Sequence, residues 1–307
     1  MAKSNFDQIY VADDPRAYYR TLNRFDYQIP EHGGPVFRRL AEEASGLGRP
    51  HVVDICCSYG VNAAVVNHDI TFDEIAAHYD DPAVADLDRE ALLEVDRRWF
   101  AARSLEPRFE LTGLDSSAPA IAYGVDARLL DAGFAENLEE VEPSAALAER
   151  VADADLITVT GGIGYVTDRT IDRLFELTDS PRLAAFSLRW VDFAPIVDVG
   201  AAHGLVTERL DEATFPQRRM VDRAEVDHVE QELSALGIDP DGRETEGYHH
   251  TDFYLMRTAE EVEQQPLGEL LGPVSGAVGA DGEELAPTDA AALDVSVFEH
   301  GDELRRR

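Results

Sequence analysis

Asp54, Ser58 and Gly60 are spaced as backbone-approach positions for a small polar ligand. They lie in His51-Val-Val-Asp54-Ile-Cys56-Cys57-Ser58-Tyr-Gly60, where a short β-branched run ends in an acid and turns through small residues. The glycine then opens a helical run, Val61-Asn-Ala-Ala-Val-Val. A strand, a tight loop and a helix start in that order bring backbone close to a ligand and turn free N–H groups toward it. A second unit of this kind is Phe109-Glu-Leu-Thr-Gly113-Leu-Asp115-Ser116-Ser117-Ala-Pro119. There an extended segment ends in Asp115, and serines followed by a proline begin a new helix. Either acid alone reads more readily as a helix cap at a strand end; the repetition in order points to a ligand.

The first unit resembles motif I of class I S-adenosylmethionine-dependent methyltransferases, normally an acid followed by a Gly-x-Gly-x-Gly-like loop. Here Cys56 and Ser58 take the places of two of the three glycines, and Gly60 remains. The second unit looks like the end of strand two in that family. Ala154-Asp155-Leu-Ile-Thr-Val-Thr160-Gly161-Gly162-Ile-Gly164-Tyr165 resembles strand four and the loop behind it, and Leu183-Ala-Ala-Phe-Ser-Leu188-Arg189-Trp190 resembles strand five. His249-His250-Thr-Asp252-Phe-Tyr-Leu-Met-Arg257 resembles the last, reversed strand. Leu205-Val-Thr-Glu-Arg-Leu210 would be its partner, with a helix from Arg223 to Leu236 inserted between them.

The resemblance spans roughly residues 50–257. It implies an α/β, Rossmann-like fold: a seven-stranded, mostly parallel sheet with a reversed last strand and helices on both faces. It also implies S-adenosyl-L-methionine as cofactor. Asp54 would orient the methionyl amino end, with Cys56, Ser58 and Gly60 in the loop against it. Asp115, with Ser116, would meet the ribose hydroxyls, two donors on one carboxylate. Glu136 or Asn137 would sit near adenine, and Thr160 with Gly161 would face adenosine and substrate. Candidates for the acceptor side, and for any catalytic group, are Tyr165, Arg189, Trp190 and His203, with Tyr27 from the N-terminal segment. Within the loop, Cys56 and Ser58 carry a Cβ, so negative φ is expected at both; Cys57 should point into the core, and Gly60 should leave room for the cofactor.

Methyl transfer from a sulfonium is an in-line displacement whose leaving group needs no proton. A cofactor cradle should therefore be plainer in such a sequence than a catalytic dyad. Other chemistries fit less well. A nicotinamide or flavin Rossmann enzyme needs G-x-G-x-x-G and an acid about 20 residues further on, whereas Asp115 lies 61 positions after Asp54. No G-x-S-x-G elbow or HExxH motif occurs, so neither a serine hydrolase nor a metal site is expected. The reading is a methyltransferase acting on a small molecule. The alternative is a non-catalytic protein of the same fold that binds or interacts.

Net charge is −34, from 61 acids against 27 bases, and Lys3 is the one lysine. That surface repels a phosphate backbone or an anionic membrane, so neither nucleic acid nor membrane is an expected partner; a small-molecule substrate is, and the chain leaves a homodimer open. Many acids with scarce lysine resemble the proteins of salt-loving microbes. The two cysteines are adjacent, Cys56 and Cys57, without zinc or disulfide spacing. Mean hydropathy is −0.26, no apolar run reaches membrane-spanning length, and the first residues lack a signal peptide's core; a cytoplasmic location is expected.

Residues 1–48 read as a helical, aromatic cap or lid, and residues 49–257 as the methyltransferase domain. Within it, residues from about 68 to 107 form a helical insertion whose first helix starts at the capping box Thr71 to Glu74. Residues 258–307, rich in Gly, Pro and acids, read as an acidic, disordered tail.

Overall fold

The computed structural model describes residues 6–46, 48–179, 182–279, 282–285, 288–289 and 293–306. The fold is α/β. Its strands in chain order are β1 (His51–Ile55), β2 (Glu110–Asp115), β3 (Ala132–Ala135), β4 (Leu156–Thr160), β5 (Leu183–Leu188), β6 (Leu205–Leu210), β7 (Phe215–Arg219), β8 (Tyr248–Thr258), β9 (Pro273–Val274), β10 (Thr288–Asp289) and β11 (Val295–Phe298). Among the described residues, nine of these form one mixed sheet in the order β11-β6-β8-β5-β4-β1-β2-β3, with β7 paired to β8.

The five strands β1 to β5 are mutually parallel. β8 runs antiparallel to β5, β6 and β7, and β11 runs antiparallel to β6. The count differs from the expected seven because β7 and β11 join the sheet. β7 follows β6 after a short connection and holds β8 by its far end. β11 covers the outer edge of β6 and removes an open row of backbone donors and acceptors.

Burial explains why the central strands read as unbroken apolar runs. Every residue of β1 and β5 is buried, as strands covered by helices on both faces must be. On one face Phe37, Ala63, Phe72, Phe109, Tyr123 and Phe186 share a core; on the other Val53, Ile157, Ile171, Leu174, Phe193 and Ile196 do. The helix Ile29–Ser45 packs on the first face, and the helices Asp168–Leu177 and Ala194–Ala202 on the second.

Residues 68–107 hold the helices Phe72–Asp80, Pro82–Ala85 and Arg89–Ala101. Thr71 and Glu74 form a reciprocal capping box, with Thr71 Oγ1 accepting from the Glu74 N–H at 3.2 Å. The insertion is pinned by Asp96, fully buried. It accepts from His78 Nε2 at 2.8 Å and from the hydroxyls of Tyr79 (2.8 Å) and Tyr123 (2.6 Å). Tyr123 belongs to the helix that follows β2, so this acid ties the insertion to the strand-two unit.

The C-terminal region departs from the expected disordered tail. Its described residues form the helices Ala259–Gln264, Leu267–Leu271 and Gly301–Leu304 with β9, β10 and β11. Sparse apolar residues do the anchoring: Leu267, Leu270, Leu271, Val274 and Phe298 are all buried. A buried ion pair directs the first turn of this segment. Glu208 of β6 takes Arg257 Nε at 2.7 Å and Nη2 at 3.0 Å, and its Oε1 also accepts the Leu267 N–H at 3.0 Å. Glu208→Leu would leave the Arg257 charge buried without its partner. Unfolding in denaturant should show a loss of about 3–5 kcal/mol; a loss under 1 kcal/mol would mean that the pair does not hold this segment.

Candidate functional site

The carboxyl ends of β1, β2 and β4 meet at one edge of the sheet, and the expected cofactor residues gather there. Asp54 is the fourth residue of β1 and is fully buried. Its Oδ1 accepts from Asn62 Nδ2 and from Thr158 Oγ1, each at 2.9 Å. Asn62 Nδ2 also reaches Thr160 Oγ1 at 3.0 Å. Asn62 sits in the first turn of the helix Val61–Asn67, so the helix behind the loop supplies the second wall. Burial, partly offset by these two donors and added to by the Asp115 charge, pushes the Asp54 carboxyl up to about 7.

Three buried acceptors near one another have no hydrogen-bond partner among the described residues: Asp54 Oδ2, Asn62 Oδ1 and Ser58 Oγ. An orphaned buried polar atom costs about 1–3 kcal/mol, and these three, on β1, the loop and the helix start, leave acceptors open to donors from outside the chain. Asp115 completes the edge. Its Oδ2 accepts the Ser58 N–H at 2.9 Å and its Oδ1 the Ser117 N–H at 2.8 Å. A carboxylate offers about four lone-pair directions, so both oxygens can still take a hydroxyl. Ser117, rather than the exposed Ser116, caps the following helix.

The loop conformation corrects one expectation. Cys56 and Ser58 adopt positive φ, 56° and 51°, in the left-handed region where a glycine would carry no penalty. The hydrogen bonds that close the loop impose this: the Cys56 N–H reaches Leu114 O at 2.8 Å, and the Gly60 N–H reaches Cys57 O at 2.8 Å. Cys57 does point into the core. Gly60, at φ 84°, caps the helix, but a Cβ there would meet Leu129 Cβ at 3.3 Å and Leu130 Cγ at 3.5 Å. Its requirement is therefore the backbone conformation and the wall behind the loop, not space for a ligand. Cys56→Gly should release left-handed strain and raise unfolding free energy by about 0.5–1 kcal/mol, after the added freedom of the unfolded chain. Chemical denaturation checks this, and a less stable variant would show that the contact between Cys56 Sγ and Gly162 outweighs the strain.

Gly161, at φ 65°, follows Thr160, and a Cβ on it would fall 2.1 Å from Gln217 Nε2. The Gln217 side chain of β7 therefore lies against the end of β4. The N-terminal residues lie over both, as an aromatic strap. Tyr59 from the loop donates to Ile9 O at 3.0 Å and Ala12 O at 2.8 Å, and Ser117 Oγ donates to Tyr10 O at 2.6 Å. On the other side the Gln28 N–H reaches Gln217 O at 2.8 Å, and the Arg219 N–H reaches Phe25 O at 2.6 Å. Tyr10 and Tyr18 pack edge to face at 5.5 Å. Burial holds the phenols of Tyr10 and Tyr18 well above their usual range and pushes Tyr27 up to about 12. All three stay neutral hydrogen-bond donors. Tyr27 feels the charges of Arg218 and Asp54, and Tyr10 those of Arg218 and Asp115, with the Tyr165 hydroxyl also near it.

The remaining expected residues divide. Tyr165 is 63% exposed at this edge. Trp190 Nε1 donates to His249 Nδ1 at 3.2 Å. Glu136 stands at the end of β3, but its carboxylate caps another helix by accepting from Ser144 N–H (3.0 Å) and Oγ (2.6 Å). Asn137 Oδ1 takes the Glu139 N–H at 3.1 Å. Two acceptor-side candidates are corrected. Arg189 turns inward to a buried pair with Glu244 at 2.5 Å and to Asp239 O at 3.0 Å, clamping the segment before β8. His203 ends the helix Ala194–Ala202, ahead of β6 and so at the opposite edge of the sheet, where its Nε2 meets Asp172 at 2.8 Å.

Sequence reasoning missed Asn62, Tyr10, Tyr18, Gln217 and Arg218. Asn62 had a signal, a lone amide among Ala and Val in the first helical turn. Nothing local marked Gln217, and Arg218 with Arg219 reads from the sequence as a basic island for solvent or local ion pairs; only the pairing of β7 with β8 carries Gln217 and Arg218 to the site.

No family model matches the chain, and no curated protein matches it. Among solved structures, 163 chains match. One is the plantazolicin methyltransferase BpumL in complex with S-adenosylhomocysteine: 11% identity, 82% of this chain and 93% of that chain covered, TM-score 0.40. A second is the O-methyltransferase of a trans-AT polyketide synthase multienzyme of Brevibacillus brevis, also with S-adenosylhomocysteine, at 10% identity, 85% and 82% coverage and TM-score 0.39. A third is a putative RNA methyltransferase from Pyrococcus horikoshii, at 11% identity, 76% and 84% coverage and TM-score 0.39.

Proposed function

We propose that the protein is an S-adenosylmethionine-dependent methyltransferase acting on a small-molecule acceptor. The observation that carries this reading is the set of buried, unpartnered acceptors at Asp54 Oδ2, Asn62 Oδ1 and Ser58 Oγ beside Asp115. An ammonium group answers the first three and a vicinal diol answers the fourth, and the cofactor bears both. When bound, S-adenosylmethionine supplies an electrophilic methyl group that passes in line to the acceptor.

The chain's own residues bind, orient and exclude water. Asp54 and Asn62 hold the amino end, and Ser58 offers its hydroxyl beside them. Asp115 fixes the ribose while its two backbone bonds keep the loop in shape. The strap from Phe6 to Gln28 covers the edge, so that the electrostatics of the site act with little screening. His249 is not a free base, since Trp190 donates to its Nδ1 and its Nε2 stands 3.2 Å from Glu225. Positioning is thus the main contribution of the residues described.

Isothermal titration with S-adenosylmethionine and S-adenosylhomocysteine tests the reading. Micromolar or tighter binding of both is expected, with a matching rise in melting temperature. Absence of binding for both would leave the non-catalytic interaction protein as the better account.

A further inference from the structure

We propose that Arg218 recognises the acceptor and that the acceptor is a small molecule bearing a carboxylate. This rests on the methyltransferase reading above and names the substrate class of the same site.

Arg218 is 5% exposed, and its pairing is built from several elements. Glu225, in the helix Arg223–Leu236, takes its Nη1 at 3.3 Å and its Nη2 at 2.7 Å. The other partners of Glu225 are the Val221 N–H at 2.7 Å and His249 Nε2 at 3.2 Å, and Trp190 braces His249 from behind. Glu225 from a helix, His249 from β8, and Val221 and Trp190 from loops thereby set the plane of one guanidinium.

The way that guanidinium is used leaves a specific vacancy in its hydrogen bonding. Glu225 occupies the end-on fork of Nη1 and Nη2, and Nη1 also donates to Arg219 O at 3.0 Å. The side-on fork, Nε–H with the second Nη2–H, is used by no described residue. Two parallel N–H groups at that spacing match the two oxygens of a carboxylate. A phosphate dianion would match in shape but would bring two negative charges beside Glu225 where a carboxylate brings one.

The position is also right. The backbone of Arg218 is flanked by the two bonds that tie β7 to the strap, Gln217 to Gln28 and Arg219 to Phe25. Its Cζ lies 5.4 Å from the centre of the Phe6 ring. Tyr27 feels the charges of both this cation and Asp54, and Tyr10 feels that of the same cation, so the guanidinium lies within reach of the strap's phenols. An acceptor there would find an apolar aromatic wall, neutral phenol donors and one carboxylate fork. In a chain of net charge −34, long-range repulsion disfavours any anion, so a preference for one can only come from local donors of this kind.

The test uses the full chain saturated with S-adenosylhomocysteine, in ~1 M sodium chloride so that the screening length falls to about 3 Å. Two matched pairs are titrated: 4-hydroxybenzoate against 4-hydroxybenzamide, and indole-3-acetate against indole-3-acetamide. The carboxylate of at least one pair is expected to bind tenfold or more tightly than its amide. Arg218→Gln should abolish that preference while S-adenosylhomocysteine affinity stays within about twofold of wild type. Because Arg218→Gln leaves Glu225 buried, the double variant Arg218→Gln/Glu225→Gln serves as a neutral control, and its S-adenosylhomocysteine binding reports folding. Equal binding of acid and amide, no binding of either carboxylate, or a preference that survives in both variants would overturn the inference. A wild-type chain that fails to bind S-adenosylhomocysteine would instead sink the underlying reading.

Discussion

Asp115→Ala is expected to weaken S-adenosylhomocysteine binding by about 2–4 kcal/mol, the value of two charge-assisted hydrogen bonds, or roughly 30- to 900-fold. The structure adds a reason for the upper end. Asp115 accepts the Ser58 and Ser117 N–H groups, so its removal also loosens the loop that carries Ser58. Asp115→Asn keeps one acceptor oxygen and should fall between wild type and the alanine variant. Titration calorimetry measures the affinities, and circular dichroism of each variant should match wild type. Undiminished binding by Asp115→Ala would mean that the end of β2 does not contact the ligand.

The second large effect is a pH dependence of binding set by Asp54. Burial raises its carboxyl from 3.8 to about 7, whereas an ammonium ligand requires it ionised. Binding below pH 7 must therefore release one proton. The dissociation constant for S-adenosylhomocysteine should fall about tenfold per pH unit between pH 5.5 and 7 and level off above. Asp54→Asn should be weak and flat across that range. The sign for stability is opposite. The folded apo protein holds this proton more tightly than the unfolded chain, so ionisation opposes folding. That contribution is most favourable below about pH 4 and declines as pH rises toward 7. Without ligand, Asp54→Asn should consequently melt higher than wild type at pH 8 while binding worse. Calorimetry in buffers of different ionisation enthalpy counts the proton; a wild-type affinity independent of pH would show that Asp54 does not meet the ammonium.

The non-catalytic alternative predicts neither result. A protein that keeps the fold for interaction alone has no use for orphaned acceptors at Asp54, Asn62 and Ser58, and would gain stability by replacing them. Three such buried atoms beside Asp115 favour a ligand that completes them.

What the sequence determined by itself was the central layer and the order of its strand ends. Two strand–acid–turn–helix units and two further apolar runs are local patterns: strand burial, caps and turn residues act over fewer than ten positions, so they are legible without the fold. Asp54, Ser58, Asp115, Thr160 and Gly161 were singled out this way, and the fold brings them to one edge of the sheet. Tertiary structure decided what depends on distant partners. Cys56 and Ser58 take positive φ because hydrogen bonds to Leu114 and within the turn outweigh the Cβ penalty. Arg189 turns from pocket to clamp because Glu244, 55 positions away, buries beside it. The described residues beyond Thr258 are held by a few buried side chains and the Glu208 carboxylate, too sparse to show as periodicity. Arg218 reaches the site only because β7 pairs with β8 and with the strap; no spacing along the chain encodes that meeting, since its cause is the register between strands that are remote in sequence.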